Sequence, residues 1–125
     1  MNLQITSQNK TSHLLIVSKG VLSVKEDLFK QTELIYREII KHKHSRILIE
    51  ESQTSFPQSL FTYSDLVKFY QDFPPEARLL KIAIVIPATD TDRKIADFWE
   101  VACLNKGFDF RAFSSAKEAE NWLIK

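Results

Sequence analysis

Lys81-Ile82-Ala83-Ile84-Val85-Ile86 is a run of apolar, mostly β-branched residues with no polar alternation. A strand written this way is covered on both faces, as the central strand of a parallel sheet is by helices in front and behind. The flanking sequence supplies those helices. Downstream of Pro87, Asp90-Thr91-Asp92 offers N-cap chemistry, and Ile95, Phe98, Trp99 and Ala102 follow at the spacing of one helical face. Gly107 is expected in the left-handed conformation that closes that helix. Phe108 to Phe113 then alternates as a last, less buried strand, and Ser115-Ala116-Lys117-Glu118 has the form of a capping box opening a short helix with Ala119, Trp122 and Leu123 inward.

Upstream, Pro74-Pro75 stops a helix expected from Thr62 or Ser64 to Phe73. Before it come a loop from Glu51 to Phe61 and a short strand, Arg46 to Glu50. A longer helix precedes these. Ser23-Val24-Lys25-Glu26 reads as its capping box, and Val24, Leu28, Ile35 and Ile39 form its inner stripe, widened by Phe29, Tyr36 and Ile40. The chain opens with Leu3 to Thr6 and His13 to Ser18. They are joined by so few residues that they must pair antiparallel, because a parallel return needs a crossover. The order is ββαβαβαβα: an α/β fold with a mixed, open sheet packed with helices. Residues 1–125 form a single domain, with no linker, repeat or low-complexity segment.

Composition narrows the function. Lys and Arg number 17 against 16 Asp and Glu, a formal net charge of +1, and no basic stripe advertises phosphate neutralisation, so nucleic acid is not an expected partner. Lys41-His42-Lys43-His44-Ser45-Arg46 reads as a solvated helix end whose cations suit the macrodipole. Cys103 is the only cysteine, which excludes an internal disulfide and fits a reducing compartment. The first residues lack a signal-peptide pattern, and no apolar run approaches the ~20 residues of a membrane span. A cytoplasmic location is expected.

The landmarks Gly107-Phe108-Asp109-Phe110-Arg111-Ala112-Phe113 and Glu118-Ala119-Glu120-Asn121-Trp122-Leu123, with Gly20 and the helix from Ser23, resemble the STAS fold. The likeness is to the SpoIIAA-like bacterial proteins described as STAS/SEC14-type domains. It implies an open sheet wound mostly one way, and function through protein contacts or apolar ligands. Anti-sigma-factor antagonists of this fold carry a phosphorylated Ser or Thr ahead of the second helix. The equivalent stretch here, Glu50-Glu51-Ser52-Gln53-Thr54-Ser55-Phe56-Pro57, lacks the Asp-Ser pair and glycine of that motif, and no phosphosite is transferred to it.

Few residues point to chemistry. His42 and His44, two apart, diverge on a helix, whereas a helical metal pair needs i, i+3 or i, i+4 spacing, so no metal site is assigned. Glu50, Glu51, Asp90 and Asp92 are expected at the carboxyl ends of parallel strands, where an acid–base or metal site is conceivable, but strand-exit and capping roles explain them. Cys103 is expected to be half-buried and inert. No catalytic residue and no cofactor is assigned, and the chain reads as a non-enzyme. The segment from Phe56 to Phe73 concentrates six of the fourteen aromatics. Its helix stripe uses Leu66, Phe69, Tyr70 and Phe73, leaving Phe56, Leu60, Phe61, Tyr63 and Val67 as a candidate contact surface or a satellite core. The expected function is a bacterial-type regulatory or interaction module that binds an unknown protein partner or self-associates. The alternative is a carrier of a small apolar or lipid-like ligand, and the third reading is an enzyme or metal site at the acidic strand ends.

Overall fold

The computed structural model describes residues 2–55, 75–87, 90–105 and 107–125. Five strands form one sheet in the order β1-β2-β3-β4-β5. β1 (Asn2–Asn9) and β2 (Leu14–Val21) make the expected hairpin, with Leu3 opposite Gly20 and Asn9 opposite Leu14. β3 (Arg46–Ser55), β4 (Lys81–Val85) and β5 (Asp109–Phe113) are added in turn, each parallel to its neighbour. Because every parallel step moves one strand in the same direction, right-handed crossovers put their helices on one face. α1 (Lys25–His42) and α2 (Asp90–Asn105) contribute to that face, and α3 (Ala116–Ile124), last in the chain, packs on the other. A 3-10 turn, Pro75–Leu79, leads into β4.

The two faces hold separate cores. On the first, Leu14, Ile16, Ile47, Ile49 and Ile84 meet Ile35 and Ile39 of α1 and Cys103 of α2. On the second, Leu48, Ala83 and Val85 meet Ala119 and Leu123 of α3, flanked by Phe113 and Trp122. Alternation along β3 and β4 feeds both, which is why the run from Lys81 is apolar throughout.

Both helix ends read from α2 onward hold. Gly107 has φ +83°, its amide donates to Leu104 O at 3.1 Å, and the Phe108 amide donates to Cys103 O at 2.9 Å. That is a Schellman closure, sealed by contact between Phe108 and Cys103 in the first core. Ser115 Oγ accepts from the Glu118 amide at 3.4 Å as the N-cap of α3. Trp122 is half-buried, between Phe113 and the Lys81 ammonium, whose Nζ also donates to Trp122 O at 2.8 Å.

Other boundaries differ. The N-cap of α1 is Val24, not Ser23, and Asp27 rather than Glu26 reaches back, accepting from the Ser23 and Val24 amides at 2.7 and 3.2 Å. A carboxylate across two donors caps the turn without a hydroxyl. The inner stripe of α1 is narrower than expected: Val24, Phe29 and Ile40 are exposed, and Gln31 is buried among Leu28, Ile35 and Ile39. On α2, Phe98 is exposed while Cys103 is wholly buried, so the inner face is rotated toward Cys103. The expected inward side chains of Ile95, Trp99 and Ala102 lie outside the described residues. The largest change is in β3. It runs ten residues, through Ser55, so Glu50 and Glu51 sit within a strand rather than at its exit.

Candidate functional site

The site begins with an irregularity. Val17 pairs with Glu50 and Lys19 with Gln53, so Glu51 and Ser52 together oppose Ser18. One extra residue on β3 makes a β-bulge, a device that re-aims side chains and breaks the ladder locally. The Ser52 amide donates at 2.8 Å to Glu50 Oε1, satisfying a donor that the interrupted ladder leaves. Along β3, Ile47 and Ile49 face the first core, Glu51 follows them toward α1, and after the inserted residue Thr54 joins the same face in contact with Ser18.

The result is a polar cluster in an apolar interior. Ser18, Gln31 and Thr54 are all buried. Gln31 Nε2 donates to Ser18 Oγ at 3.0 Å and to Glu51 Oε1 at 2.8 Å, using both amide hydrogens. Thr54 Oγ1 donates to Ser18 O at 2.8 Å and lies 3.0 Å from Ser18 Oγ, whose own hydrogen can complete that pair. Ser18 Oγ, Thr54 Oγ1 and Gln31 Nε2 each thus have a partner, as buried polar groups require.

Glu51 also borders a cavity of about 90 Å³ whose walls include Ile35 and Ile39 of α1, Ile49, Ile82 and Ile84 of the sheet, and Cys103 of α2. Burial pushes the Glu51 carboxyl up to about 7, the Gln31 hydrogen bond opposes the rise, and the nearby Glu50 charge adds to it. Glu51 as a whole residue is half-buried, but its carboxyl is wrapped in protein, and it is the carboxyl that titrates. The other acid in the wall, Asp109, pairs in register with Lys81 at the amino end of the strands, whereas Glu51 lies past the last β3–β4 pair, Glu50 with Val85. At about 3.3 Å per residue the two acids are on the order of 15 Å apart along the strands.

The residues singled out from sequence fall in different places. Phe56, Leu60, Phe61, Tyr63 and Val67 lie outside the described residues. Glu50 is not in the cavity wall, and the side chains of Asp90 and Asp92, in the first turn of α2, are outside the described residues. His42 Nε2 is 3.2 Å from Ser7 Oγ and His44 Nε2 bonds Asn9 Oδ1, so both histidines tie the end of α1 to β1. Among the described residues, no three His, Cys, Asp or Glu side chains gather as a metal ion would require, and no helix is long and apolar enough to cross a membrane. Cys103, expected half-buried, is fully buried in the cavity wall. The cluster residues Ser18, Gln31 and Thr54 were not singled out. Their signal is a polar residue on an apolar stripe: Ser18 continues Leu14 and Ile16, and Gln31 lies between Leu28 and Ile35.

This architecture is the SpoIIAA-like, STAS-type fold. An anti-sigma factor antagonist from Mycobacterium paratuberculosis superposes on it with a TM-score of 0.60 at 12% identity, over 99% of this chain and 96% of that one. An uncharacterized protein of the DUF3478 family with a SpoIIAA-like fold, from Shewanella loihica PV-4, does so with a TM-score of 0.55 at 18% identity, over 97% of this chain and 93% of that one. No family model and no curated protein matches the sequence.

Proposed function

We propose that the chain is a non-catalytic regulatory module, working in a bacterial-type cytoplasm, that binds a protein partner at the carboxyl end of its sheet. The observation that carries this reading is an apolar rim there. Val21 and Val24 are about half exposed, at 52% and 51%. Val21 pairs with Ser55, and the Leu22 amide donates to Ser55 O at 2.8 Å. The next residue in the chain is Phe56, which opens the aromatic segment with Leu60, Phe61, Tyr63 and Val67. Exposed apolar groups gathered at one edge mark interaction surfaces. The fold-wide likeness to an anti-sigma factor antagonist supports a role through protein contacts.

The cavity beside Glu51 favours a second reading, a carrier of a small apolar ligand. Its volume weighs against a whole lipid: about 90 Å³ is smaller than the ~150 Å³ cavity that accepts benzene. A carrier would have to open further.

Three measurements on Val21→Ser, Phe56→Ser and Phe61→Ser separate the readings: melting temperature, binding of an anilinonaphthalene dye, and saturable binding of a medium-chain fatty acid. A contact surface predicts near wild-type melting, weaker dye binding and no stoichiometric fatty-acid site. Loss of about 2 kcal/mol or more with dye binding unchanged would mean a satellite core instead. One-to-one fatty-acid binding that disappears in the variants would establish the carrier.

A further inference from the structure

Among the described residues, the two edges of the sheet differ in how their backbone groups are covered. At β5, Phe113 O accepts from the Ile86 amide and so faces β4. A residue in a parallel ladder directs both backbone groups to one side, alternating along the strand, so Ala112 directs both of its groups outward. Both are taken. Glu100 Oε1 accepts from the Ala112 amide at 2.5 Å, and Arg93 Nη1 donates to Ala112 O at 3.0 Å. Arg93 is itself held by Asp97 at 2.9 Å. Side chains of α2 therefore occupy the outward backbone groups of Ala112, which an added strand would need.

Among the described residues, β1 has no such cover. It is the terminal strand at the opposite edge, and among the described residues no strand pairs with its outer side. About half of its residues direct amide and carbonyl outward. Natural edge strands are usually blunted by charge, proline, a bulge or brevity. Asn2-Leu3-Gln4-Ile5-Thr6-Ser7-Gln8-Asn9 has no charge and no proline, pairs with β2 without a register shift, and is eight residues long.

We infer that β1 is a docking edge for the β1 strand of a second copy of this chain, running antiparallel and joining two sheets into one. The strand is self-complementary in the sense a two-fold axis demands. An axis normal to the sheet places residues of like parity opposite one another. Half-buried Leu3, Ile5 and Ser7 then line one face of the seam, and exposed Gln4, Thr6 and Gln8 line the other. No like charges meet, and a formal net charge of +1 leaves little repulsion between copies.

The test uses charge at exposed positions. Wild type should dimerise in sedimentation equilibrium with a Kd in the range of about 10–100 µM, as befits an interface at the small end. The Q4K/T6K and Q4E/T6E variants should each melt close to wild type and associate at least ten-fold more weakly, because a seam centred on Gln4, Ile5 or Thr6 sets like charges opposite one another. An equimolar mixture of the two should restore the dimer as a heterodimer. Wild type that stays monomeric at about 1 mM, a dimer that survives Q4K/T6K, or a mixture that fails to associate each overturns the proposal.

Discussion

The two faces of the sheet are built from the same strands and solve burial differently. On the face under α3, Leu48, Ala83 and Val85 close against Ala119 and Leu123. On the face under α1 and α2, the neighbouring residues Ile49, Ile82 and Ile84 border a cavity, and the next position outward on β3 is the carboxyl of Glu51. One inserted residue extends the polar cluster on the latter face. Without the bulge, β3 would continue its alternation and Thr54 would leave the face it shares with Ser18. The lesson is a division of labour: the α3 face is spent on stability, while the other keeps space and titratable chemistry.

The sharpest way to break that contrast is to open the closed face. Leu123 is fully buried, and Leu123→Ala should cost about 4 kcal/mol, because a packed site collapses poorly around a lost side chain. Denaturant unfolding checks it, and a loss below about 1 kcal/mol would mean that the α3 face is as loosely filled as the other.

The next effect is smaller and lies on the open face. Glu51 has a folded pKa raised to about 7 from an ordinary 4.5. Below the ordinary value both folded and unfolded states hold the proton, and the stabilisation is fully present. As pH rises the unfolded chain ionises first, so stability falls between about 4.5 and 7 and levels off above, a loss on the order of 3 kcal/mol at most. Glu51→Gln keeps the shape and the Gln31 contact but cannot ionise. It should match wild type at the acid end of that window and exceed it above neutrality. Parallel unfolding curves across the range would show whether the acid truly sits in the open face.

Most of the frame was legible in the sequence because it rests on periodicity and on capping chemistry. The apolar run from Lys81, the hairpin, Gly107 and Ser115 each obey a local rule, and local rules survive folding. The site was less legible. A bulge arises from the register between β2 and β3, which neither strand reveals alone, so sequence pattern ends β3 at Glu50 and puts Glu51 in a loop. Ser18 and Gln31 interrupt apolar stripes, but a single polar residue on a stripe shows a buried network only when its partner on another element is known. Phe98 illustrates a different failure. Helical spacing fits several neighbouring faces of α2, and the sheet, through the buried Cys103, selects among them.

The central point is that the alternation of β3 carries the carboxyl of Glu51 after Ile47 and Ile49 onto the α1 face, beside an apolar cavity. Its most direct test is a carbon-13 NMR titration of the side-chain carboxyl of Glu51, assigned by its disappearance in Glu51→Gln. The midpoint should lie near 7 and move higher when Gln31→Leu removes the hydrogen bond that favours the ionised form. A midpoint at the ordinary value of 4.5, unmoved by Gln31→Leu, would contradict that placement.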